Sequence, residues 1–185
     1  MNDELQVKQA THVDETWLRD ALEQHHAMSY GWALSCCSSN PTDAEDILQT
    51  VYQKILEGRA RYDGRAAFKT WLFAVIRNTA ASERRRNWIR FLRLGSYQKE
   101  HEKDCQPADH GEGLQGSESI ELFRAMLAKL PRRQHEILHL VFYQDLTVEA
   151  AAKAMGVSLG SARTHYDRAK KQLGQLLKLT GQFHD

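Results

Sequence analysis

Apolar positions recur at steps of three and four along most of this chain, the spacing of one face of an α-helix. Val13, Trp17, Ala21, Met28, Trp32 and Cys36 follow it and predict a helix over about 13–37. Ala44, Ile47, Leu48, Val51, Tyr52, Ile55 and Leu56 make a denser stripe. Thr42 and Glu45, just after Pro41, have the spacing of a capping box, and Gly58 ends the element. A loop from Arg59 to Arg65 leads to a third helix carrying Phe68, Leu72, Val75, Ile76 and Thr79. Its far end, Arg84-Arg85-Arg86-Asn87-Trp88-Ile89-Arg90, is too basic for a core and is expected to project into solvent. Periodicity then disappears over 94–117, where Gly, Ser, His, Asp and Glu dominate, which reads as a flexible acidic linker. It returns with Ile120, Phe123, Met126, Leu127 and Leu130, and Pro131 is placed to open a further helix through Ile137, Leu138, Val141 and Phe142. No strand alternation or internal repeat stands out. The expected fold is all-α: two small helical domains, residues 1–93 and 118–185, joined by the linker.

The stretch from Leu146 to Lys171 has the layout of a helix-turn-helix. Thr147 can cap a short helix whose inner side is Val148, Ala151, Ala152 and Met155. Gly156 supplies the backbone freedom of a tight turn, Val157 can plug the small core, and Ser158 can cap the second helix. In that second helix Ala162, Tyr166, Ala169, Leu173, Leu176 and Leu177 fall on one side. Ser161, Arg163, Thr164, Arg168 and Lys171 fall on the other. Arginine can read guanine edges, while hydroxyls and lysine hold phosphates, so this face suits the major groove of DNA. Any helical hairpin with glycine in its turn shares the layout. The asymmetry, basic outward and aliphatic inward, is what favours DNA.

Composition changes the picture only when the chain is divided. Its 185 residues carry a net charge of +1. Residues 1–58 hold three Lys/Arg against ten Asp/Glu, residues 59–93 ten against two, 94–120 two against six, and 121–185 ten against six. One acidic surface for a basic protein partner and two basic ones for phosphate backbones fit this segregation. No apolar run approaches the roughly 20 residues that span a bilayer. The N-terminus, with Asp3 and Glu4, lacks the apolar stretch of a signal peptide, so a cytoplasmic location is expected. No Gly-rich phosphate loop, carboxylate pair or nucleophile arrangement appears, and the chain is not expected to be an enzyme.

Two stretches together resemble the extracytoplasmic function (ECF) sigma factors of bacterial RNA polymerase. Asp43-Ala44-Glu45-Asp46-Ile47-Leu48-Gln49-Thr50-Val51-Tyr52, with Phe68-Lys69-Thr70-Trp71-Leu72-Phe73-Ala74-Val75-Ile76-Arg77-Asn78 and the Arg84–Arg86 run, is similar to the family's second conserved region. Leu130-Pro131-Arg132-Arg133-Gln134 through Lys171 is similar to its fourth. The resemblance implies binding of core polymerase at the beta-prime clamp and beta flap, with Asp43, Asp46, Gln49, Thr50 and Tyr52 facing the clamp. It implies that Arg59, Arg61, Tyr62, Arg77, Asn78, Arg84, Arg85 and Arg86 contact and open the promoter's minus-ten element. Such opening needs a basic groove and places for unpaired bases to stack. Phe68 and Trp71 fit a packing pattern and read as core side chains that shape that site. Ser161, Arg163, Thr164, Arg168 and Lys171 correspond to the minus-thirty-five contacts. An anti-sigma factor, membrane-anchored, is the expected regulator, since no sensor domain follows Lys178.

The chain departs from the family pattern at Thr50, where an acid is common, and at Ser82, beside Glu83. It also departs at Ala150-Ala151-Ala152, which thins the apolar face of the hairpin's first helix, and at His165 in place of a frequent arginine. No cofactor or metal is expected. His26 and Cys37 lie about 15 Å apart on a continuous helix, too far to share an ion, so Cys36 reads as core and His25, His26 and Cys37 as partly exposed. His101, Cys105 and His110 could meet at a metal only if the linker folded back. The alternative reading is a stand-alone helix-turn-helix regulator binding an operator as a dimer. It lacks dimerisation heptads and leaves the N-terminal basic helix without a purpose. A third possibility, a helical adaptor that never touches DNA, predicts no salt-dependent DNA affinity.

Overall fold

The computed structural model describes residues 15–94, 126–127 and 129–179. Its helices are α1 Glu15–Gln24, α2 His26–Cys36, α3 Pro41–Leu56, α4 Phe68–Leu94, α5 Arg132–Leu138, α6 Val148–Met155 and α7 Leu159–Leu179, with a π-helical turn, His139–Tyr143, between α5 and α6. Among the described residues there is no strand. Beyond Leu94, the expected linker lies outside them, as do His101, Cys105 and His110.

The first module is built by α2, α3 and α4 packing on one another. The single helix expected over 13–37 breaks at His25, whose φ of −97° and ψ of 4° leave the helical register. Its ring Nδ1 donates to the Ala21 carbonyl (2.8 Å), which holds the break. The start of α3 also differs from expectation. Asn40, not Thr42, is the cap: its side chain accepts from the Asp43 amide (3.2 Å), and Pro41 fills the first turn, where its missing N–H costs nothing. The stripe behaves as its spacing predicts, with Ala44, Ile47, Leu48, Val51 and Ile55 buried against Trp32, Ala33, Leu72, Phe73 and Ile76. Leu56, its last member, is half exposed. Gly58 ends the element at φ +69°, a backbone state that other residues adopt only with strain. Trp32 lies at the centre, fully buried, its indole N–H donating to the Phe73 carbonyl (3.0 Å).

The second module packs α5 and α6 against α7. Its turn chemistry is local. Thr147 Oγ1 accepts from the Ala150 amide (3.1 Å), Gly156 closes α6 in the left-handed region at φ +62°, and Ser158 Oγ accepts from the Ser161 amide (3.1 Å). The core joins Ile137, Leu138 and Leu140 to Ala151, Ala152, Ala154, Met155, Ala162, Ala169 and Leu173.

The modules are not merely tethered. Helix α6 packs on α4, and the π-helical turn meets α2. At this seam Arg77 Nε lies 3.0 Å from Glu136 Oε2, and the two side chains are only 10% and 2% exposed. Glu136 also pairs with Arg132 (2.8 Å) and Arg133 (3.4 Å). Lys69 donates to the Gln144 carbonyl, and Gln144 Nε2 donates to the Met28 carbonyl (3.4 Å). The His139 ring packs against Trp32 across the seam and against His135 and Tyr143 on its own side.

Burial, with His135 beside it, pulls the His139 pKa down to about 3. The neutral ring is therefore the folded form, whereas the unfolded chain takes up its proton near the ordinary value of about 6.5. Stability from this residue is fully present above that value and is lost as pH falls toward 3. The loss should reach about 2 kcal/mol at pH 5. Urea unfolding at pH 7 and pH 5 checks this; a His139→Gln chain showing the same pH slope would refute it.

Candidate functional site

Three surfaces carry the residues that the sequence singles out. The first is the outer side of α7. Ser161, Arg163, Thr164, Arg168 and Lys171 are all exposed on one face, while Ala162, Ala169 and Leu173 point into the module. Thr164 Oγ1 donates to the Gly160 carbonyl (3.0 Å), and Ser161 Oγ accepts from the Ser158 hydroxyl (2.9 Å), so both hydroxyls are positioned by the first turn. That turn also presents the positive end of the helix dipole, which favours phosphate.

The second surface follows α4 and the loop before it. Arg59 pairs with Glu57, and Arg61 Nε donates to the Gly58 carbonyl (3.2 Å). Tyr62 is half-buried, its hydroxyl donating to the Ala66 carbonyl (2.7 Å) and its ring lying among Trp17, Phe68 and Trp71. Phe68 is buried and Trp71 half-buried, so these rings form a scaffold that shapes the loop. Asn78, Arg85 and Arg86 are exposed, with Arg86 paired to Glu83 (2.8 Å). Arg84 reaches back to the Cys36 carbonyl (3.2 Å). Arg77 stands apart from the rest: it is buried in the seam on Glu136. Past Ala80, the helix continues to Leu92 with no buried position among the described residues, Trp88, Ile89, Phe91 and Leu92 are exposed, and the Trp88 and Phe91 rings stack 6.1 Å apart. Sequence reading marked this end as solvent-facing for its arginines and missed the aromatic pair among them.

The third surface is on α3. Asp43, Asp46 and Gln49 are exposed, Thr50 and Tyr52 half-buried. Gln49 and Tyr52 line a groove of about 980 Å³ together with His26, Tyr30, Glu45, Leu48, Gln53, Leu56 and Glu57. Tyr52 Oη and His26 Nδ1 lie 3.0 Å apart across it. The groove is apolar at its floor and acidic at its edge, which suits an amphipathic basic helix. Spacing alone pointed to Gln49 and Tyr52. It did not reveal Glu45, His26, Tyr30 or the exposed Leu56, because the groove forms only where α2 and α3 diverge. At the C-terminal end of α2, burial pushes the Cys36 thiol far above its usual range and the Cys37 thiol up to about 11. These thiols are held protonated, a poor state for metal binding.

The fold and site together are a helix-turn-helix with an exposed cationic face, packed on a helical bundle that carries a groove with an acidic edge. Residues 21–90 match the family Sigma-70 region 2, and residues 120–173 match Sigma-70, region 4. Among curated relatives, the ECF RNA polymerase sigma factor EcfG of Rhodopseudomonas palustris is 30% identical over 146 residues, covering 78% of this chain and 76% of its own. The ECF sigma factor SigX of Bacillus subtilis is 28% identical over 138 residues, covering 73% and 71%. The chain belongs to the ECF sigma factors, transcription-initiation factors of RNA polymerase. Its fold is similar to that of the sigma factor RpoE crystallised with the anti-sigma factor NepR from Bartonella quintana (TM-score 0.66, 24% identity, 87% of this chain and 96% of that one). It is also similar to CnrH in complex with the cytosolic domain of CnrY (TM-score 0.59, 18% identity, 96% and 97%). A stand-alone regulator is not favoured, since it would leave the region 2 module unexplained. Among the described residues, no helix is long and apolar enough to cross a membrane.

Proposed function

We propose that this sigma factor docks on core RNA polymerase through the acidic face and groove of α3 and places its two modules on the minus-ten and minus-thirty-five elements of a promoter. The carrying observation is that Arg163, Thr164, Arg168 and Lys171 stand exposed on one side of α7. On α3, Asp43, Asp46, Gln49, Thr50 and Tyr52 supply the polymerase contact, charge steering a basic partner and the groove receiving its apolar side chains. In the first module Arg59, Arg61, Asn78, Arg84, Arg85 and Arg86 hold the backbone of the opened strands. Trp88 and Phe91 add aromatic surface on which unpaired bases can stack. Tyr62 acts through the aromatic scaffold of the loop.

The beta flap is the second polymerase contact. The chain works where the polymerase does, in the cytoplasm. One protein of similar fold is crystallised with the anti-sigma factor NepR, and another is in complex with the cytosolic domain of CnrY, which supports an anti-sigma factor, anchored at the membrane, as the regulator here. Core polymerase pull-down followed by run-off transcription tests the reading. The wild-type chain is expected to bind core and initiate at discrete promoters. Asp46→Lys is expected to weaken core binding on the order of tenfold, the scale of losing a charge-assisted contact and gaining repulsion. Tight operator binding without polymerase contact would overturn the reading.

A further inference from the structure

We propose that Gly160 is the close-approach point of α7 on promoter DNA: because it carries no side chain, the sugar–phosphate backbone at the groove edge packs against the helix itself. This rests on the assignment of α7 to the minus-thirty-five element and adds the residue that sets how closely the helix seats.

The fold gives Gly160 no reason to be glycine. It is the second residue of α7, in right-handed helix, where alanine is the better helix former. Gly156, four residues earlier, needs its glycine for a φ of +62°. Gly160 makes no such demand on the backbone. Packing does not require it either: a Cβ built there meets no neighbouring atom within 4 Å, and the residue is exposed. A glycine that weakens its helix and makes no room for the chain's own atoms makes room for something else.

Position decides what that is. Gly160 heads the row that continues through Thr164, Arg168 and Lys171 at helical steps, all exposed on the outer side of α7. Thr164 Oγ1 donates back to the Gly160 carbonyl (3.0 Å), so the nearest hydroxyl of the row is turned onto the helix. A strand that touches the helix at Gly160 comes within reach of Arg163, one turn further on, and of Arg168 beyond it. Charge-assisted bonds to phosphate are about 2.7–2.9 Å long, so a side chain that lifts α7 by a fraction of a methyl's width breaks them. Gly174, further along α7, is the counter-case. A Cβ there also meets nothing within 4 Å, but Gly174 is half-buried and lies beyond Lys171, the last member of the row. An open glycine marks no contact by itself; one at the head of a cationic row does.

The test uses holoenzyme assembled with the full chain. Gly160→Ala and Gly160→Leu form a size series of good helix formers, and Gly174→Ala is the control. Both alanine variants should raise the melting temperature of the free chain by about 1–4 °C, the gain from replacing a glycine that the fold does not need. Binding to a fluorescent duplex from a promoter used by the wild-type holoenzyme should fall about tenfold for Gly160→Ala, the scale of one lost hydrogen bond to a charged group. It should fall further for Gly160→Leu. The loss should be the same across single-base variants of the minus-thirty-five element, since a backbone contact carries no sequence information. Gly174→Ala should bind promoter as wild type does, and affinity for core should be unchanged in all three. Wild-type promoter affinity in both Gly160 variants, a loss confined to one base pair, or an equal loss in Gly174→Ala would overturn the close approach while leaving the sigma function standing. A lowered melting temperature in Gly160→Ala would do the same, because the fold would then need the glycine. A wild-type holoenzyme that initiates nowhere would overturn both.

Discussion

Replacing Trp32 with alanine should cost about 3–5 kcal/mol of stability, the range for truncating a fully buried aromatic side chain. Three losses add at this position. The ring is fully buried, its N–H donates to the Phe73 carbonyl, and it packs on the His139 ring of the other module. Alanine leaves a cavity, removes a hydrogen bond between α2 and α4, and opens a gap in the seam together. A domain of this kind has only about 5–15 kcal/mol in total, so the variant should lie close to its unfolding midpoint under mild denaturant. Urea unfolding followed by tryptophan fluorescence and by circular dichroism reads the effect. A loss under about 1 kcal/mol would mean that the α2–α4 core is organised differently.

Arg163→Ala and Arg168→Ala should each weaken promoter recognition by about 1–3 kcal/mol, five- to more than a hundredfold in binding. The two modes of contact separate experimentally. A residue that reads a base edge relaxes specificity at one position of the minus-thirty-five element when it is removed. A residue that holds a phosphate weakens all sequences alike and reduces the salt slope by about one. Holoenzyme binding to a panel of single-base promoter variants, at several salt concentrations, distinguishes them. Since both side chains are exposed and make no contribution to the core, the folded stability of the variants should match wild type. Unchanged promoter binding in the double variant would remove α7 as the reading helix.

Much of this molecule is legible in its amino-acid order because many of its determinants are local. Thr147, Gly156 and Ser158 act on backbone groups within three to five residues, so the helix-turn-helix can be read directly. The α3 stripe is likewise set by its own spacing, since Ala44, Ile47, Leu48, Val51 and Ile55 share one face whatever covers it. The misread cap shows the limit of local pattern. Thr42 and Glu45 match a capping box, but Pro41 is better accommodated as the first helical residue, which makes Asn40 the cap. The break at His25 has no glycine or proline to announce it, and the π-helical turn at His139–Tyr143 sits where the second module meets α2. Arg77 was illegible for the same reason. Its partner Glu136 is 59 residues away, and nothing beside it in sequence distinguishes it from Asn78, which is exposed. The groove on α3 was half visible: its charged edge belongs to one helix, while its floor needs two.

The short helix α6 has eight residues, and three of its four buried side chains are single methyl groups: Ala151, Ala152 and Ala154, with Met155 the exception. So slender a buried face offers little apolar area to hold a small domain together by itself, and here α4 covers part of it. Removal of the first module should therefore leave the helix-turn-helix intact in outline but prone to local fraying. Order in this helix therefore depends on the surface that covers those methyl groups, and in the structure part of that surface is α4.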